Sequence, residues 1–141
     1  MRCLYHLPLS PFCRKIRLVL AEKKLEVDLV EERVWEKRFE FVKLNISAKV
    51  PVLKIDGMII SESNAIFEYI EEVYPDPPLL PEMMIDKVEA RRFSCWFDDV
   101  FHRDVTSKLL YQRVYKQLST GNQADSGLMK SGMVALKKHF I

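Results

Sequence analysis

Three short stretches carry residue types that can do chemistry. In PLSPFCRK, residues 8–15, a hydroxyl and a thiol, Ser10 and Cys13, stand at the threshold of a helical pattern. A helix N-terminus favours negative charge, so a sulfur held beside Ser10 would have its thiolate stabilised and would take a hydrogen bond from the hydroxyl. The same residues are complete as a helix start, with serine as N-cap and Pro11 at the first helical position, and one serine can perform both tasks. Val50-Pro51 precedes an apolar run, where a proline belongs at a strand start or an edge. Glu62-Ser63 stands where a strand pattern gives way to a helical one. One reading is a cap from Ser63 or Asn64. The other is a binding site, in which helix N–H groups and a hydroxyl take a carboxylate while Glu62 holds an ammonium, as for the head group of an amino acid.

The remaining candidates are weaker. His6 falls in an apolar run, His102 stands alone on a long helical pattern and His139 is close to the last residue, so no metal site is expected. Cys3 and Cys95 sit in apolar surroundings and are expected to behave as small core residues. Three cysteines, odd in number and widely separated, fit a reducing compartment rather than a zinc site or a disulfide framework.

The elements that must position these residues are legible from periodicity. Residues 2–7, RCLYHL, read as a short strand buried on both faces. Phe12, Ile16, Val19 and Leu20 share one helical face. Residues 26–31 suit a second strand, and Trp35 to Leu44 reads as one exposed helix; strands joined through a helix should be parallel, with a right-handed crossover. VPVLKI and MIIS flank Asp56-Gly57, a strong hairpin signal. Asn64 to Tyr74 is helical and ends at Pro75. The order is βαβαββα. Residues 75–81, PDPPLLP, hold four of the seven prolines and read as a linker. From Glu82 to about Leu118 there is no proline or glycine, and Val88, Phe93, Trp96, Phe97, Val100 and Val105 suggest a long helix with a wide apolar face. A turn-rich loop, Ser119 to Gly127, precedes a final helical stretch, 128–141.

Composition excludes other classes. With 48% hydrophobic and 30% charged residues in 141, the chain is globular rather than disordered. Lys and Arg number 22 against 20 acidic residues, an interspersed +2 that offers no field for nucleic acid. No apolar run approaches the roughly 20 residues of a membrane span, and the N-terminus does not read as a signal peptide, so a cytoplasmic location is expected.

The ordered motifs LYHLPLSPFCRKIRLVLAEK, LNISAKVPVL, SESNAIFEYIEEVYP and LLP resemble the glutathione transferase family, in a bacterial form of the serine or cysteine type. The resemblance implies a thioredoxin-like glutathione-binding domain over 1–74, with a mixed four-stranded sheet, a linker over 75–81 and a partial all-helical domain over 82–141. It implies a cytoplasmic, dimeric detoxification enzyme that conjugates glutathione to small electrophiles without a metal, a nucleic acid or a membrane.

In that resemblance Ser10 faces the glutathione sulfur, with Cys13 as the second catalytic candidate. The backbone of Val50 pairs with the cysteinyl part, Pro51 is a cis-proline, and Glu62 and Ser63 bind the γ-glutamyl end. Lys37 meets the glycine carboxylate, and Phe12 and Lys49 complete the contacts. Serine in place of the first cysteine of a CPYC-type motif removes the thiol that disulfide exchange needs, which ranks a glutathione-dependent oxidoreductase acting through Cys13 second. A non-enzymatic interaction module of the same fold is the other alternative. Asn45-Ile46 and Ala48 replace the family's asparagine-proline and glycine, so a differently shaped loop is expected there. The chain stops at LKKHFI, short of the family's later helices. The apolar face of the long helix is therefore expected to meet water or another chain, with dimerisation or instability as the result.

Overall fold

The first apolar run forms β1, Cys3–His6, in a computed structural model that describes residues 2–141. The remaining strands are β2 (Asp28–Glu31), β3 (Val52–Ile55) and β4 (Met58–Ser61), in one sheet of order β2-β1-β3-β4. β1 runs parallel to β2 and antiparallel to β3, and β3 to β4 is an antiparallel hairpin. Asp56 and Gly57 take φ of 50° and 80° at its tip, the two left-handed residues that a two-residue hairpin turn requires. Helices α1 (Pro11–Glu22), α2 (Phe39–Leu44) and α3 (Ser63–Val73) complete the βαβαββα order.

Alternation along the strands sorts the side chains. Leu4, Leu53 and Ile55 point into a core shared with Ile16, Val19 and Leu20 of α1 and Ile66 and Ile70 of α3. Each of these large side chains stabilises the fold by about 1.5–3 kcal/mol on burial. Tyr5, of opposite parity on β1, meets the buried Phe41 of α2 with ring centroids 5.7 Å apart.

The single helix expected from Trp35 to Leu44 is instead a 3₁₀ turn, Val34–Glu36, followed by the separate α2. Lys37 lies between them with φ of 46°, which stops helical hydrogen bonding, and the carboxylate of the fully buried Glu32 takes two hydrogen bonds from Arg38. Burying that carboxylate requires Arg38 to come back to it, and a straight helix would carry Arg38 away.

The chain divides into two compact units, one ending at Pro81 and the other Glu82–Ile141. The proline-rich stretch is fastened to the first unit. Glu71 Oε1 accepts from the backbone N–H groups of Leu79 and Leu80 at 2.8 and 3.2 Å, while its Oε2 pairs with the buried Lys23 at 2.8 Å.

In the second unit a helical path runs through α4 (Met84–Trp96), a π-helical stretch Phe97–Thr106, α5 (Ser107–Leu110), a π-helical stretch Tyr111–Tyr115 and α6 (Lys116–Thr120). Gly121, with φ of 71°, ends it, and Asp125 caps α7 (Ser126–His139) by accepting from Leu128 N–H at 2.8 Å. Of the apolar face expected on the long helix only Val105 is buried, whereas Val88, Phe93 and Phe97 are exposed. The wide turns from Phe97 onward insert residues into the helical repeat, so a stripe of period 3.6 does not continue on one side through them; α4 before them buries no residue at all. Trp96 packs edge-on against Phe97 and His139, at 4.8 and 5.1 Å. Cys95 is exposed, not a core residue, because α4 buries none of its residues.

Candidate functional site

Strand register decides which loops meet. His6, the last residue of β1, is opposite Glu31, the last of β2; Tyr5 is opposite Val52, the first of β3; and Val52 is opposite Ser61, the last of β4. The turn into α1, the Val50-Pro51 dipeptide, the Glu62-Ser63 junction and the segment after β2 therefore all emerge at one end of the sheet. Lys15 Nζ donates to Asn64 Oδ1 at 2.8 Å, which joins the second turn of α1 to the first turn of α3.

Ser10 is the N-cap of α1, with Pro11 at the first helical position. Its Oγ accepts from Cys13 N–H at 3.3 Å, and its own N–H closes a turn on Leu7 C=O at 3.0 Å. The hydroxyl keeps a proton to donate after serving as a cap.

Cys13 is completely buried, its Sγ accepting weakly from Leu7 N–H at 3.5 Å. Burial pushes its thiol up; the Ser10 hydroxyl, the Leu7 N–H and the Arg17 charge pull in the opposite direction without overcoming it. The second catalytic candidate, Cys13, is thus sealed from solvent, with its thiol favoured in the neutral form.

The Val50–Pro51 peptide bond is cis. Pro51 is buried and Val50 half-buried. The preceding turn is built by Asn45: its Nδ2 donates to Lys49 C=O at 2.9 Å, and its Oδ1 accepts from the N–H and hydroxyl of Ser47 at 3.2 and 3.0 Å. Ala48 takes φ of 51° and so keeps the left-handed conformation that a glycine adopts freely. The role of Asn45 escaped the sequence reading, although an Asx turn with serine two residues on is a recognisable local signal.

At the third junction the cap position belongs to Glu62, not to Ser63 or Asn64. Glu62 has φ of 70° and makes no side-chain capping bond, while Ser63 is the first helical residue and is buried. The positive end of α3 is thus left without a side-chain cap. Asn64 is turned instead to Lys15. Phe12 is half-buried, and Lys37 and Lys49 are exposed, with Lys37 on the segment that leaves the same end of the sheet after β2. Among the described residues no group of three or more His, Cys, Asp or Glu converges as a metal would require, and no helix is long and apolar enough to cross a membrane.

Residues 4–78 match the family of the glutathione S-transferase N-terminal domain. The chain is 38% identical to FtsZ-localized protein A of Caulobacter vibrioides, an alignment that covers 98% of this chain and 62% of that protein. It is 34% identical to a probable maleylacetoacetate isomerase of Caenorhabditis elegans, over 87% of this chain and 58% of the relative. Among solved structures, a glutathione S-transferase from Rhodospirillum rubrum is 41% identical and superposes with a TM-score of 0.94, covering 99% of this chain and 63% of that one. The chain thus spans about three fifths of the length of these proteins.

Proposed function

The chain belongs to the glutathione S-transferase family, and from that premise we propose that its first unit binds glutathione and that the protein transfers the glutathione sulfur to an electrophilic carbon. The observation that carries the reading is the convergence, at one end of the sheet, of a serine-capped helix start, the Val50-Pro51 strand start and a second helix start with no side-chain cap.

In this reading the γ-glutamyl carboxylate meets the first turn of α3 and the Ser63 hydroxyl, and its ammonium meets Glu62. Val50 offers backbone hydrogen bonds to the cysteinyl unit, Lys37 meets the glycine carboxylate, and Phe12 and Lys49 flank the peptide. The sulfur lies against Ser10. The thiol loses its proton to solvent, and the N-terminal end of α1 together with the Ser10 hydroxyl holds the resulting thiolate. With an aryl halide, the thiolate forms a C–S bond and the halide leaves with the electron pair of the broken bond. Rate is gained from a lowered thiol pKa and from holding two reactants together. Cys13 packs behind Ser10 and takes no part. The same reading makes the protein a cytoplasmic homodimer acting in detoxification.

A second reading is favoured by one observation, the similarity to FtsZ-localized protein A along nearly the whole chain. On it, the fold is a docking module for FtsZ and turns nothing over. Calorimetric titration with glutathione, followed by a conjugation assay on an aryl halide, separates the two. Binding with turnover supports the transferase; binding without turnover, with co-sedimentation on FtsZ polymers, supports the module; no binding removes the first reading.

A further inference from the structure

The turn that carries Ser10 is held from outside by a residue no local signal marks. Leu7 to Ser10 contains one proline, Pro8, and is followed by a second, Pro11; Pro8 offers a carbonyl but no N–H. Arg17 stands two helical turns beyond Ser10, on the same side of α1. Its guanidinium donates to Pro8 C=O at 2.8 Å and lies 3.3 Å from Nδ1 of His6, the last residue of β1. One planar group therefore grips the chain on both sides of Leu7. The other ties on the turn are of a different kind. Ser10 N–H to Leu7 C=O and Cys13 N–H to Ser10 Oγ lie within the turn and its cap, and Leu7 N–H to Cys13 Sγ is a weak sulfur contact at 3.5 Å. The arginine supplies a charge-assisted bond from the second turn of α1.

We propose that Arg17 is the positioning residue for Ser10: it brackets the turn between β1 and α1, and so fixes where the serine hydroxyl meets a bound sulfur. This rests on the reading of Ser10 as the residue that faces the glutathione thiolate. Arg17 itself touches neither thiol nor electrophile. His6 is part of the bracket through its Nδ1, which accepts from Arg17 only while the ring is neutral. Burial lowers the pKa of His6, the Arg17 charge lowers it further and Glu31 opposes both, so the neutral ring is the favoured form. Arg17 is half-exposed, and its loss removes no core side chain.

Two measurements on Arg17→Met and Arg17→Lys test the bracket in the full chain. The first needs no ligand: hydrogen exchange of the amides from Leu7 to Cys13 is compared with that of β3 and α3. Arg17→Met, which keeps the stem and loses the donors, should accelerate exchange in that turn about tenfold and leave β3 and α3 unchanged. The second follows glutathione. Arg17→Met should leave KM for glutathione within about twofold, lower kcat about tenfold and raise the pH at which the bound thiol ionises. Arg17→Lys, with one donor still able to reach Pro8, should recover part of each effect.

Exchange that quickens evenly over the whole unit, with KM and kcat failing together and no recovery in Arg17→Lys, would make Arg17 a plain stability residue and overturn the proposal. So would unaltered exchange and thiol ionisation in Arg17→Met beside a wild type that binds and ionises glutathione. If the wild type binds no glutathione, the site reading fails and so does this role for Arg17, whatever the exchange shows.

Discussion

Replacing Ser10 separates its two duties, because alanine and glycine remove different things. Both delete the hydroxyl. Alanine also loses the N-cap, worth about 1 kcal/mol, whereas glycine at that position costs only a few tenths. For a unit of this size 1 kcal/mol corresponds to roughly 4–8 °C in Tm. Ser10→Ala should therefore melt about 4–8 °C below wild type and Ser10→Gly within about 2 °C of it. The chemical consequence is the same in both. A hydrogen bond to a charged acceptor contributes about 1.5–3 kcal/mol. At 1.36 kcal/mol per pKa unit, its loss raises the pKa of the bound thiol by roughly one to two units. Below that pKa, thiolate and conjugation rate fall about 10- to 100-fold. The assay is the pH dependence of thiolate absorbance in the binary complex, with kcat on an aryl halide measured alongside. If Ser10→Gly ionises glutathione and turns over as wild type does, the hydroxyl does nothing for the sulfur and Ser10 is a helix cap only.

Other perturbations probe the frame. Lys23→Met leaves the Glu71 carboxylate with only the Leu79 and Leu80 amides and should cost about 2–4 kcal/mol in a urea titration, below the fully buried limit because Glu71 keeps some solvent. Gly132→Ala would set a Cβ 2.9 Å from Leu109 Cδ2 and 3.0 Å from Lys108 Cβ, so despite the better helix propensity of alanine it should destabilise by about 1–2 kcal/mol, read by calorimetry. Because the fold lowers the pKa of His6, the unfolded chain binds the proton more readily. The stability His6 contributes is thus complete above its unfolded value, about 6.5, and is lost as pH falls through the lower folded value. His6→Asn, which keeps an acceptor for Arg17, should flatten stability against pH below neutrality. Alkylation under native conditions should modify Cys95 and spare the buried Cys3 and Cys13, with mass spectrometry locating the adduct; rapid labelling of Cys13 would revive the oxidoreductase reading.

Much of the first unit was legible because its signals are local. Ser10-Pro11 before Phe12 announced the start of α1, Asp56-Gly57 announced the hairpin, and Pro75 announced the end of α3, each through backbone preferences that act over a few residues. Local signals mislead where a distant partner intervenes. Trp35 to Leu44 has helical spacing, but the carboxylate of Glu32, buried beyond the end of β2, draws Arg38 back and breaks the helix at Lys37. Ser63 and Asn64 are good capping types, yet Asn64 turns to Lys15 across 49 positions of sequence. Cys95 has apolar neighbours in sequence and solvent in space.

By itself the sequence determined the four strands and the helices α1 and α3, and that a hydroxyl would cap the first helix, since propensity, capping and turn chemistry operate within about one helical turn. Only the tertiary structure decided that Ser10, Val50-Pro51 and Glu62-Ser63 share one end of a sheet, that Cys13 is sealed while Cys95 is open, and that Arg17 reaches back to Pro8. Those outcomes follow from strand register and burial, which belong to the packed whole and to no single stretch of it.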